Sequence, residues 1–338
     1  PQISDLHDPF LLKGMDKAVE RIELALKRGE KILVYGDYDV DGTTSVAMMY
    51  SYLNRFTDKI GYYIPERYDE GYGISFKGID HAQIEEYTLI IALDCGIRAV
   101  KQVEYASNKG IDFIICDHHT PGVNTPRAVS VLNPKQKDCN YPYKELSGCG
   151  VGFKLIQAIS EKRNIDFNEI GEYLDLLALS IGADIVEMTG ENKVLAFYGM
   201  RVINQSPRMG LKALIEKSGK SGDLSMSDVV FGIAPRINAA GRIEHGKRAV
   251  EILIEKDIEK AKELAEGIET HNNERKELDQ SITKEALQMI DENKKSTVVY
   301  SSDWHKGVVG IVASRLIEKH YKPTIVLSEK DGELTGSA

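Results

Sequence analysis

Three short apolar runs, each ending on an acid, constrain this chain more than any other feature. Ile32 to Tyr35 leads into Asp37, Asp39 and Asp41; Leu89 to Leu93 ends on Asp94; Phe113 to Cys116 ends on Asp117, His118 and His119. Runs this apolar and this short, separated by helical patterns, are strands buried on both faces. They imply a mostly parallel sheet in an α/β domain. In an open parallel sheet the carboxyl ends of the strands share one edge, where ligands bind. Residues as far apart as Asp37 and His119 therefore converge on one site.

Periodicity predicts helices over Asp16 to Lys27, about Thr43 to Asn54, Gly148 to Lys162, Glu169 to Ser180, Glu191 to Asn204 and Met209 to Lys217. A further strand is expected over Ile60 to Ile64, then a loop, Pro65 to Gly73 (PERYDEGYG), and later an extended segment, Val129 to Pro134. Beyond Ser218 to Asp228 comes a basic stretch, PRINAAGRIEHGKR, from Pro235 to Arg248. Asp257 to Glu292 is charged, periodic and nearly glycine-free, and reads as one helix of roughly 50 Å at 1.5 Å per residue. A kink at Thr270 to Asn273 is compatible with the same pattern. Thr297 to Tyr300, the helix Val308 to His320 and Thr324 to Leu327 open a second, smaller β-α-β unit. The chain stops at Gly336, Ser337 and Ala338 while a strand is running, which reads as a truncation. The expected architecture is α/β: a parallel-sheet catalytic domain (1–205), a helical segment with the basic motif (206–256), a long connecting helix (257–293) and the start of a second domain (294–338).

Composition narrows the classes. A chain of 338 residues with 42% hydrophobic and 28% charged content is ordinary for a soluble protein with sizeable cores. No apolar run approaches membrane-spanning length and the polar N-terminus does not resemble a secretory signal, so a cytoplasmic location is expected. The four cysteines, Cys95, Cys116, Cys139 and Cys149, show no C-x-x-C pairing and read as reduced, packed thiols. A formal charge of −9 argues against nucleic-acid binding by bulk positive charge, though not against local basic grooves.

Carboxylates packed as closely as Asp37, Asp39 and Asp41 repel one another, and protons or cations must neutralise them. D-x-D-x-D-G copies the opening of an EF-hand, but Met48 stands where a bidentate Glu belongs and a strand precedes the loop. Asp39 to Thr43 also reads as the D-x-D-G-T signature of a dehalogenase-type phosphatase. Paired histidines after Asp117, on the edge that carries the other acids, favour a metal centre instead. Oxygen-rich ligation with one or two imidazoles suits manganese or magnesium, with zinc or cobalt as substitutes. Two such ions about 3.5–4 Å apart make hydroxide at neutral pH and clamp a phosphoryl displacement.

The motifs GDYDVDG, ALDCG, CDHH and GADIVEM resemble the four metal-binding motifs of the DHH phosphoesterase superfamily. PERYDEGYGIS, APRINAAGRIEHG and DWHKGVVGIVASRL further resemble the RecJ branch, single-strand-specific 5′-to-3′ DNA exonucleases, in order from about Asp8 to the last residue. The resemblance implies that Asp39 and Asp41 each hold one metal, that Asp37 is a direct or supporting ligand, that Asp94 bridges, and that His118 and Asp184 complete the second ion. Asp117 and His119 would orient ligands or act beside them. Arg236 and Asn238 would lie near the scissile phosphate, where an Arg stabilises developing charge. Arg242, Lys247 and Arg248 against Glu244 form a positive patch, for which a solvated helix cap is the alternative. His305 could donate to a phosphate oxygen across a cleft, or simply cap the helix near Val308. Tyr68 and Tyr72, flanking Arg67, suit stacking on an unpaired base beside a phosphate contact, or packing at a loop base. In the family the segment after Gly336 and Ser337 continues into a basic, glycine-rich part of the second domain, and the resemblance implies a nucleic-acid contact for Ser337.

Glu187, where proline is usual, and Ala234, where glycine is common, depart from the branch without removing a ligand. The expected activity is therefore two-metal, manganese-dependent hydrolysis of single-stranded DNA, with single-strand-binding protein and repair or recombination factors as implied partners. A DHH phosphodiesterase for short oligonucleotides or cyclic dinucleotides is the enzyme alternative, and a silent scaffold in a replication or repair assembly the non-enzyme one.

Overall fold

Alternation of side chains along the strands accounts for the central layer. The structure, a computed structural model, describes residues 1–243, 245–330 and 332–338. Glu244 and the side chain of Arg242, both in the expected basic patch, lie outside the described residues. Ile32–Gly36 (β1), Ile60–Tyr63 (β2), Leu89–Leu93 (β3), Asp112–Cys116 (β4) and Ser130–Leu132 (β5) form a parallel sheet in the order β2-β1-β3-β4-β5. Ile32, Val34, Leu89, Ile91, Leu93 and Ile114 turn to one face, where the helices Met15–Arg28, Val40–Leu53 and Gly148–Lys162 cover them. Leu33, Tyr35, Ile90, Ala92, Phe113 and Ile115 turn to the other, under Phe76–Ile84 and Val100–Asn108. Burial on both faces is what near-continuous apolar strands require.

Register fixes the functional edge. Gly36 pairs with Leu93, Leu93 with Cys116, and Cys116 with Leu132, so four strands end level. The first residues past them are Asp37, Asp94, Asp117 and Asn133.

Further helices, Leu174–Ala183, Gly190–Gln205, Met209–Ser218, Ala234–Ile243 and Lys247–Ile254, extend the first face into a helical layer. The long helix Ile258–Gln288 lends Ala261, Ala265 and Ile268 to that core and Ile282 and Ala286 to a separate one. The separate core lies under Thr297–Tyr300 (β6), Thr324–Lys330 (β7), Glu333–Ser337 (β8) and the helix Val309–His320, with β6 and β7 parallel and β7 and β8 antiparallel.

Several boundaries differ from those read in the sequence, each for a local reason. The second helix begins at Val40 rather than Thr43, because the Asp39 carboxylate caps it by accepting from the Gly42 amide at 2.9 Å. The helix expected over Glu169 to Ser180 is broken into Phe167–Ile170, a 3-10 turn Gly171–Tyr173 and Leu174–Ala183, with the weak helix former Gly171 at the break. The connecting helix runs unbroken through Thr270 to Asn273 and ends at Gln288.

Candidate metal centre

The acid loop after β1 is built by its own backbone. Asp37 is fully buried, and its carboxylate accepts from the amides of Tyr38 and Gly73, both at 2.7 Å. Gly73 can reach it because its φ of +83° is open to glycine without strain. Asp41, in the first turn of Val40–Leu53, accepts from the amides of Gly148 at 2.6 Å and Cys149 at 2.8 Å and from the Ser180 hydroxyl at 2.7 Å. The first two donors open the helix Gly148–Lys162, whose positive end suits a carboxylate.

Asp94 follows β3 with φ +58°, a left-handed conformation that a non-glycine residue holds at a cost, and its amide is pinned to the Cys116 carbonyl at 2.8 Å. It is buried and its Oδ1 has no hydrogen-bond partner. His118 Nε2 stands 3.2 Å from Asp94 Oδ1, 3.5 Å from Asp184 Oδ2 and 3.7 Å from Asp41 Oδ2. Asp117 is saturated: Oδ1 takes the amides of His118 (2.7 Å) and His119 (3.1 Å) and His119 Nδ1 (2.7 Å), while Oδ2 takes the Ile97 amide (2.8 Å).

Electrostatics reflect this crowding. Burial, then the Asp39 charge, pushes Asp37 up to about 7, and burial with Asp41 and Asp39 pushes Asp184 up to about 7. Asp94 is driven well above the carboxylate range by burial and the acids around it, and Asp39 also rises through burial. Burial lowers His118. The hydrogen bond to Asp117 raises His119, and Asp117 stays below its usual value because that imidazole outweighs its burial.

Both ring nitrogens of His118 and Asp94 Oδ1 are buried without a hydrogen-bond partner, which is costly in a dry site. Ligand atoms of Asp94, His118 and His119 lie within 4.8 Å of one another, as do those of Asp41, His118 and Asp184. Orphaned donors of this kind, oxygen-rich with imidazole, fit divalent metal. Asp37 and Asp39 fall outside both groups; Asp39 caps its helix.

The residues expected to meet nucleic acid divide. Tyr72, 54% exposed, stands edge-on to Tyr38 at 5.7 Å and to His119 at 6.4 Å, and Arg67 lies 4.7 Å over the Tyr38 ring. Tyr68 meets His305 edge-on at 6.2 Å and carries Lys306 3.9 Å above its ring. The PERYDEGYG loop thus touches the smaller unit. Asn238 is partly exposed on Ala234–Ile243. Lys247 and Arg248 are exposed and lie 4.0 and 3.1 Å from Glu251, as a solvated helix cap would. Ser337 ends β8 beside Gly310.

Arg236 turns inward. Its guanidinium is buried and pairs with Glu269 at 2.5 and 3.1 Å, with its other donors on the carbonyls of Gly232 and Lys217. It clamps Ala234–Ile243 to the connecting helix. Sequence reading also passed over Tyr38 and Ser180. Ser180 lies inside an apolar helix, where only its polarity in LALSIGADIVEM marks it; Tyr38 carried no signal of its own.

Residues 31–181 match the family model "DHH family, N-terminal domain". The Bacillus subtilis single-stranded-DNA-specific exonuclease RecJ is 41% identical over 99% of this chain and 43% of its own length, and the Escherichia coli RecJ 37% identical over 96% and 60%. The crystal structure of an exonuclease RecJ bound to manganese superposes with a TM-score of 0.88 at 32% identity, covering 97% of this chain and 83% of that one. The chain belongs to the RecJ family. It spans about half the length of the curated RecJ relatives it matches, 43% and 60% of the two above. The Thermus thermophilus RecJ in complex with Mn2+ matches with a TM-score of 0.84 at 31% identity, covering 94% of this chain and 46% of that one. Among the described residues no helix is long and apolar enough to cross a membrane.

Proposed function

We propose that this chain hydrolyses single-stranded DNA from the 5′ end, releasing nucleoside 5′-monophosphates, with two divalent ions as cofactors. Manganese is the proposed metal, with magnesium or cobalt as substitutes; relatives of the family have been crystallised with manganese and with magnesium. The observation that carries the reading is His118, whose two ring nitrogens are buried without a partner among three acids.

Asp41, His118 and Asp184 would hold one ion; Asp94, from the middle of the edge, would reach both, with Asp39 and His119 beside the other and Asp37 in support. Bound there, such ions would acidify a water and neutralise the phosphate oxygens. Asp117 fixes the imidazole of His119 through Nδ1, which would leave Nε2 for the metal or substrate. Tyr72 offers an exposed ring beside His119 for a base to stack on, and Arg67 a charge for its phosphate. Tyr68 meets His305 of the smaller unit edge-on, and a strand reaching the centre beside this contact would stack a base on Tyr68. His305 would meet a phosphate oxygen from that unit.

The same reading takes single-strand-binding protein and repair or recombination factors as partners, in the cytoplasm, where four buried free cysteines are at home. The test is hydrolysis of 5′-phosphorylated single-stranded DNA labelled at either end, with manganese or chelator, and a dinucleotide in parallel. Early release of the 5′ label as mononucleotide, only with metal, is expected. Cleavage of the dinucleotide with long strands untouched would overturn it in favour of a short-substrate phosphodiesterase.

A further inference from the structure

The level edge of the sheet delivers one more group than the metal centre uses. β5 ends in register with β4, Leu132 opposite Cys116, and the Asp117 amide donates to the Leu132 carbonyl at 3.0 Å. Two residues further along each strand exit, Lys135 is therefore the counterpart of His119. The link is physical: Asn133, fully buried, donates from Nδ2 to the His119 carbonyl at 2.9 Å and accepts from the Lys135 amide at Oδ1 at 2.8 Å. One amide side chain thus fixes the imidazole strand and the lysine turn together.

The Lys135 ammonium lies 3.1 Å from Glu145, with the two side chains 28% and 38% exposed. Glu145 is itself held, because its carbonyl accepts from the buried Asn192 amide, which also grips the Glu187 carbonyl beyond Asp184 at 3.0 Å. A carboxylate at one side of an ammonium leaves further donors free. Across the sheet, Arg67 follows β2 and lies over the ring of Tyr38, next to Asp37 in the acid loop. The acids of β1, β3 and β4 are flanked by one cation from each outer strand.

We infer that Lys135 is a phosphate-binding residue, contacting the single-stranded substrate on the β5 side of the metal centre, opposite Arg67. This rests on the nuclease reading above. A strand laid along the edge meets the acids at its scissile phosphate and a cation on either side, which fixes its register over the centre. Asn133 acts through both partners as a positioning residue.

The test compares wild type with Lys135→Ala, Lys135→Gln, Lys135→Arg and Glu145→Gln. Binding of a short 5′-phosphorylated oligothymidylate is followed by anisotropy in calcium over a range of salt, with kcat and KM in manganese and Tm for each protein. Lys135→Ala and Lys135→Gln are expected to weaken binding roughly tenfold, as a lost charge-assisted hydrogen bond does. They should flatten the salt dependence by about one counterion and leave Tm near wild type. Lys135→Arg should recover most of the affinity, and Glu145→Gln should bind no more weakly than wild type. Wild-type binding with an unaltered salt slope in Lys135→Ala and Lys135→Gln, or a loss in Glu145→Gln equal to theirs, would overturn the assignment and leave a structural ion pair. A wild-type chain that neither binds nor cleaves single strands would remove the nuclease reading and the assignment together.

Discussion

Asp94 gathers the main tensions of the site in one residue: buried, left-handed, surrounded by acids and short of a hydrogen-bond partner. Asn tolerates the same backbone and carries no charge. Asp94→Asn should therefore leave the metal-free protein as stable as wild type or more so, while hydrolysis and the manganese-induced rise in Tm disappear. A substituted protein that still gains stability from manganese would show that Asp94 is not a ligand. The neighbours make a prediction in pH. Asp37 and Asp184 sit at about 7 in the fold, against about 3.9 for an unfolded Asp. The folded state therefore holds more protons between those values, and their favourable contribution is complete below about 4 and lost as pH rises through about 7. Metal-free Tm should fall from pH 5 to pH 8 and the gain from manganese should grow over the same range; a gain independent of pH would contradict it.

Between elements, one close approach near the site is made by a glycine. A Cβ on Gly241 would stand 2.6 Å from the Tyr38 carbonyl, so Ala234–Ile243 lies directly on the acid loop between Asp37 and Asp39. Gly241→Ala should destabilise the fold by about 1–3 kcal/mol and lower kcat by displacing that loop, which denaturant unfolding and steady-state kinetics would report. Arg236→Ala strands Glu269, 18% exposed at its side chain, and should cost about 3 kcal/mol, with hydrolysis in the folded fraction largely kept. These two cases mark what the sequence could disclose. The acids were legible because each ends an apolar run and parallel topology brings such ends together. The capped start at Val40 was legible too, in Asp39 ahead of a polar first turn, and was read three residues late. The partner of Arg236 lies in another helix, 33 residues away, and no local pattern announces a pairing set by how two helices cross. Asn133 and Lys135 follow a three-residue strand, too short to stand out as periodic, so their place on the edge emerges only from its register with β4.

On the scale of the whole molecule, a formal charge of −9 makes affinity for a polyanion conditional. With the acids bare, the strand ends repel the phosphate that Arg67 and Lys135 would hold, so removing divalent ions should weaken single-strand binding tenfold or more at constant ionic strength. Unchanged affinity in chelator would mean that the strand binds elsewhere. The connecting helix carries one face into each core, and the Tyr68 loop meets the His305 segment of the smaller unit. For a two-metal centre at the strand edge, the most direct measurement is anomalous scattering at the manganese edge from crystals soaked in manganese. Two peaks are predicted, one among Asp41, His118 and Asp184 and one beside Asp94 and His119; an edge without manganese, or metal bound only elsewhere, would contradict it.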